Sequence, residues 1–401
     1  MDLSTLGKIV ADHSGIRRNQ ILQPLGGAGA KVFPPTYKAD DDNAGPEHCY
    51  ERRFLNGEEV HCVVMNSVAA QANEYEEAII EAVDNGLLLP YIYTDFSGTD
   101  LGEVQDSTTL SAPHRLYDSM FRDSLLDGAA FYDTAIGRAI NSADPRTASA
   151  ILEVSPTTLV FGAWNSRGGT RGGKFRRVIA SEICGVRVPV DLVPSRKASG
   201  STKAVTAAKQ TSSRRDSIGI LSTVPIYKGA NGWALTEAEA GKGAKKVRAS
   251  DMNIGGIPPS FAPRGATFEY AEESTTLTLA GIRGLRFGSP SRNEAGRLLV
   301  AALALVAITE KDCRGHSLRS GCDLVPDGGI APLHLIATDG TTEALEIDRD
   351  AARAMYLEAL SNARSVGFDV IEEPIRLTPK DELVELIRRS RDKDDEDASA
   401  E

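Results

Sequence analysis

Gly168 to Lys174, GGTRGGK, carries the glycine and lysine spacing of a phosphate-cradling loop, in which backbone N–H groups and one ammonium hold an anion. Such a loop needs Ser or Thr after the lysine to ligate Mg²⁺, and a helix whose N-terminus faces the phosphate; here Phe175 follows, and the next residues read as strand. Nucleotide hydrolysis is therefore the lesser alternative. The same glycines let backbone approach a polyanion, and the charge around them points the same way. From Arg167 to Lys228 there are thirteen Lys or Arg against three acids (Glu182, Asp191, Asp216), inside a chain of net charge −11. Lys and Arg that neutralise phosphates release condensed counterions, so a nucleic-acid backbone is the natural ligand of such a patch. Its candidate phosphate contacts are Arg167, Arg171, Lys174, Arg176, Arg177, Arg196, Lys197, Arg214 and Arg215. Trp164 and Phe175 flank the loop as candidate base-stacking surfaces, although both adjoin apolar residues and packing in a sheet is the plainer reading.

Other chemistry-bearing groups are less organised. His48-Cys49 and His61-Cys62, and further on Cys313, His316 and Cys322, are metal-ligand types without the spacing of a finger or ribbon, so core packing is the expectation and no metal or cofactor is assigned. His114, Asp118 and Asp123 fall at near-helical spacing with Arg115 and Arg122 between them. A general base with an orienting carboxylate could be built there, but pairing among neighbouring acids and arginines explains the pattern more simply. Glu76, Glu77 and Glu81 read as a solvated helix face, and Asp40 to Asp42 as a solvated acidic loop.

The elements that must position the basic loop are a mixture of strands and helices, an α+β pattern. Val60–Met65 reads as a strand, and residues 66–86 as a helix opened by Asn66-Ser67 and closed by Asn85-Gly86. Residues 111–131 continue as a second helical pattern, running on through Asp133 to Ile140. Thr157–Trp164 and Arg177–Leu192 read as strands, which places the basic loop between them. Residues 267–287 are strand-like, Ser291–Thr309 a buried helix, Leu333–Ala337 a last strand and Asp348–Ser365 a helix before the acidic end DKDDEDASAE. The longest apolar run, Leu298–Ile308, is too short to span a bilayer. Five cysteines without small-scaffold spacing and an N-terminus unlike a secretory signal make the cytoplasm the expected compartment.

Five segments, taken in order, resemble the backbone subunit of CRISPR surveillance complexes of subtype I-U, also called I-G, in the RAMP superfamily. They are NSVAAQANEYE (Asn66–Glu76), APHRLYDSMFRDSLLDG (Ala112–Gly128), LVFGAWNSRGGTRGGKFRRVIASEICG (Leu159–Gly185), NIGGIPPS (Asn253–Ser260) and LRSGCDLVP (Leu318–Pro326). The resemblance implies one elaborated domain over 1–390: an RRM-like (ferredoxin-like) core with large insertions in a hand-like arrangement. Residues 191–225 would form a basic thumb-like insertion and 237–263 a polar one, with 391–401 a disordered acidic tail. It also implies a non-catalytic subunit that polymerises in a helical filament of its own copies along CRISPR RNA, beside other subunits of the complex. The guide would be held by its phosphates while its bases pair with target DNA, and no membrane is involved. Some RAMP relatives cut RNA with a loop aspartate, so a metal-dependent ribonuclease is the alternative, ahead of an NTPase built on Gly168–Lys174.

Overall fold

Alternation of buried and exposed residues along a single strand sets the architecture. In the computed structural model, which describes residues 1–38, 47–101, 104, 106–165, 173–189, 210–214, 223–252, 254, 257–262 and 265–400 (backbone only for 210–214, 257–262 and 392–400), that strand is β1. The chain begins with α1 (Leu3–Asp12), whose first turn is capped by the Asp2 carboxylate accepting from Thr5 N at 2.8 Å. β1 (His13–Pro24) follows, then a hairpin of β2 (Tyr50–Leu55) and β3 (Glu58–Asn66). Asn56 and Gly57 turn this hairpin with φ of 52° and 86°, the left-handed pair that a two-residue turn of matching twist requires. α2 (Val68–Asp84) starts from the Ser67 cap and stops at Asn85-Gly86, where Gly86 takes φ 92°.

Farther along come α3 (Thr157–Phe161), β4 (Ala163–Trp164), β5 (Lys174–Phe175) and β6 (Ile179–Val186). A separate three-stranded sheet holds β7 (Pro225–Gly229), β8 (Gly232–Ala234) and, after α4 (Glu237–Ala240), β9 (Lys245–Arg248). β10 (Tyr270–Thr278) leads to the long α5 (Pro290–Arg314), then β11 (His316–Arg319), β12 (Cys322–Pro326), β13 (Leu333–Ala337) and β14 (Thr342–Leu345). α6 (Arg349–Ser365) and α7 (Asp381–Ala400) are the last helices.

The main sheet has the order β11-β12-β1-β10-β6-β3-β2, with β13 sharing β1's edge and β14 beyond it; every neighbouring pair is antiparallel. α2 and α5 pack on each other, α2 also lies against β6, and α6 covers α5. Along β1, Ile16, Arg18, Gln20 and Leu22 are buried while Arg17, Asn19 and Ile21 are exposed, so one face takes the helices and the other is open. Two apolar clusters occupy the covered face, one around Ile16, Ile179, Leu277 and α5, the other around Leu22, Met65, Ile183 and Leu324. In α5 the residues from Leu298 to Lys311 are all buried, which explains the apolar run; each fully buried Leu or Ile there contributes about 1.5–3 kcal/mol.

Several expectations are corrected. Residues 111–131 do not form one helix: a short turn at Arg115–Tyr117 and helix Ser119–Arg122 give way to the hairpin Ser124–Leu126/Ala129–Ala130. Asp127-Gly128 turns it, with φ of 52° and 81°, a conformation no helix contains; the helical pattern resumes only at Ala135–Ser142. Thr157–Phe161 is helical rather than extended, because Ser155-Pro156 starts a helix there and all five residues are buried. Only Ala163–Trp164 remains strand. Leu333–Ala337 is a strand as expected but not the last, since Ile375–Pro379 forms another, parallel to Ile92–Thr94. Helix α7 runs on to Ala400 through residues given above as a disordered acidic tail, with the Arg389 guanidinium on Glu385 one turn earlier at 2.7 Å. Of the insertion at 191–225 the structure describes the strand Gln210–Arg214, paired with Ile257–Ala262, and residues 223–225.

Candidate nucleic-acid interface

The basic loop is carried on a two-stranded ribbon whose base is tightly built. α3 ends at Gly162, with φ 79°; a Cβ there would stand 2.6 Å from Arg177 N and 2.9 Å from Phe175 O. Only glycine fits that crossing. Ala163 then pairs with Phe175 and Trp164 with Lys174. Asn165 N donates to Gly173 O at 2.9 Å, and Asn165 Nδ2 to Asn141 Oδ1 at 2.7 Å. Gly173 is also confined, since a Cβ would meet Ala143 O at 2.5 Å.

Strand alternation sorts the ribbon's side chains. Phe175 points inward, 3% exposed, stacked on Tyr117 with centroids 6.5 Å apart, so it is a packing residue and presents no stacking surface. Trp164 points outward and is 64% exposed, with Lys174 Nζ 5.6 Å from its ring centroid. Arg176 and Arg177 follow, both exposed, and Arg177 Nη1 donates to Val68 O in the first turn of α2 at 3.0 Å. Burial, and next the charge of Arg115, pull the Arg177 guanidinium below its ordinary range, with Glu76 opposing. Arg167, Arg171, Arg196, Lys197 and Arg215 lie outside the described residues; Arg214 is described only in its backbone, opposite Ile257.

A buried ion pair that the sequence reading missed fixes the ribbon's root. Arg115 Nε and Nη2 donate to the two Glu76 oxygens at 2.6 and 2.8 Å, and Nη1 donates to Gly162 O at 3.0 Å. Glu76, read above as solvated, is 6% exposed; burial pushes its carboxyl up and the Arg115 guanidinium pulls it back. Arg115 holds φ 49°, an uncommon conformation for a side-chain-bearing residue. Thus α2 anchors the glycine from which the ribbon starts.

The main sheet has a second face, turned away from the helices. Strand register puts His334, Arg17, Thr276 and Ala180 in one row across β13, β1, β10 and β6, and Asn19, Ser274 and Glu182 in another. Arg17, Asn19 and Thr276 are exposed. Toward β2 the face turns acidic: Glu182 and Glu51 both engage Arg53, at 2.6 and 2.7 Å.

The remaining candidates separate. Lys174 stands in a strand rather than before a helix, so the phosphate-loop geometry is absent at that residue. Asp118 spends its carboxylate on backbone, accepting from His114 N at 3.1 Å and Met120 N at 3.0 Å, and Asp123 pairs with Arg122. Cys313 is exposed, Cys322 lies in the second apolar cluster, and His316 faces Lys311, so these three are not brought together; among the described residues no group of three metal-ligating side chains occurs. Among them, too, no helix is long and apolar enough to cross a membrane.

No curated protein matches the chain. Residues 16–190, the stretch that holds most of β1, α2, the Trp164 ribbon and β6, match the family described as CRISPR-associated protein GSU0053, and over that part the chain is similar to CRISPR-associated proteins.

Proposed function

We propose that this chain is a non-catalytic subunit that binds CRISPR RNA through its phosphates and polymerises along it. It would form the backbone of a surveillance complex of the I-U/I-G kind, in antiviral defence, and leave the guide bases to pair with target DNA. The observation that carries the reading is the ribbon, which turns Trp164, Lys174 and the adjoining Arg176 outward from a tightly anchored base. Strand order supports the RRM-like part of it. In β1-α2-β6-β10-α5-β13 the spatial order is fourth, first, third, second, the arrangement of a split β-α-β core. Among the described residues the open face lacks the paired aromatics of sequence-reading RNA domains and offers Arg17, Asn19 and Thr276 instead, which suits backbone recognition.

The double substitution Lys174→Ala with Arg176→Ala tests the reading by the salt dependence of single-stranded RNA binding. Each lost phosphate contact lowers the slope of log K against log salt by about 0.7. Weaker binding with a flatter slope is expected; an unchanged slope removes the ribbon from the interface. Both side chains are exposed, so thermal stability stays the same.

A further inference from the structure

The chain has two tryptophans, and the structure sets them in the same way. Trp164 is 64% exposed and Trp233 is 49% exposed. Each lies on a short antiparallel ribbon directly opposite a lysine: Trp164 faces Lys174, and Trp233 faces Lys228. Directly opposed residues hold their Cβ atoms about 4.5–5.5 Å apart, within reach of a ring and a long side chain. In the second ribbon the register continues, because Lys228 is also paired with Lys245 on the other flank. Trp233, Lys228 and Lys245 therefore form one row across β8, β7 and β9, with Lys245 exposed. The frame under the row is fixed: Ile226 and Ala240 are buried, Asn231 N donates to Ala240 O at 3.0 Å, and a Cβ on Gly229 would stand 2.4 Å from Ala240 O. Lys246 and Arg248, both exposed, add charge along β9.

We propose that this small sheet is a second binding site for single-stranded nucleic acid, in which Trp233 stacks on a base while Lys228 and Lys245 take phosphates on either side of it. An indole face beside two ammonium groups matches the alternation of base and phosphate along a single strand, and base stacking is tolerant of sequence. An acidic protein segment would use the lysines and leave the indole without a role. The site stands on residues separate from those of the Trp164 ribbon, so either can fail alone.

Having two tryptophans makes the test direct. In full-length protein carrying Trp164→Phe, Trp233 is the sole indole; in protein carrying Trp233→Phe, Trp164 is. Each is titrated at low salt with oligouridylate, oligodeoxythymidylate and oligoglutamate while tryptophan emission is followed. Quenching of Trp233 by either oligonucleotide, with affinity reduced about tenfold by the added exposed-site change Lys245→Ala, supports the proposal, and the preferred sugar tells which kind of strand it serves. Quenching confined to Trp164 overturns it and leaves the guide-binding reading intact. Equal response of Trp233 to oligoglutamate also overturns it, assigning the sheet to an acidic protein partner.

Discussion

Lys311 follows an apolar helix run and is nevertheless only 1% exposed, its Nζ 2.6 Å from Glu273 Oε1 and 3.0 Å from His316 Nδ1. One residue on, Asp312 accepts both Arg18 Nη groups at 2.6 Å. Ser181 and Tyr75 complete the set through Thr275. This cluster separates the two apolar clusters of the covered face, and its pairing offsets the cost of burying charge. Burial first, then the Lys311 ammonium, hold the His316 ring down to about 4 against an ordinary 6.5. A folded state that prefers the neutral ring is fully favoured above pH 6.5. As pH falls toward 4 the unfolded chain takes up a proton that the folded chain refuses. Stability should thus drop by about 2 kcal/mol between pH 7.5 and 5 on this account alone. Urea midpoints at the two pH values measure it: His316→Gln should remove most of the difference, and an equal difference in the variant contradicts it. Arg18 lies on the face of Ile16 and Leu22 by strand alternation, in a segment for which the sequence analysis assigned no element. Lys311 was not legible, because an acid-lysine pair after an apolar run reads as the return to solvent, and only β10 arriving from elsewhere in the chain explains its burial.

At the scale of elements, the ribbon depends on one crossing. Gly162→Ala would force a side chain into the left-handed region and against the Arg177 amide. It should cost about 1–3 kcal/mol of stability and weaken RNA binding, measured by thermal unfolding and by filter binding; unchanged values for both would show that the ribbon's root is not set there. Elements with local stop and start signals were readable: α2 with Ser67 and Asn85-Gly86, α6 with the Asp348 cap, and Leu333–Ala337 by its alternation. The misread elements have separate causes. Thr157–Phe161 is buried all round, so periodicity cannot separate helix from strand, and packing against α5 decides. Around Asp127-Gly128, helical spacing outvoted a turn dipeptide that should have ended the helix. The basic ribbon itself was visible as composition, but which of its aromatics faces out was decided by pairing register, Trp164 outward and Phe175 inward.

Over the whole sequence, a net charge of −11 coexists with a basic segment between Arg167 and Lys228, so a polyanion would be drawn to one region and repelled elsewhere. That polarity would align successive copies along one strand. Residues 16–190 match a family of CRISPR-associated proteins, and the proposed backbone role makes a stoichiometric claim that the match does not. The measurement that reaches it is native mass spectrometry of the protein purified from cells carrying a CRISPR array. The account predicts several copies on one RNA of discrete length, dissociating as salt is raised; an RNA-free monomer, or RNA of random length bound by single copies, would contradict it.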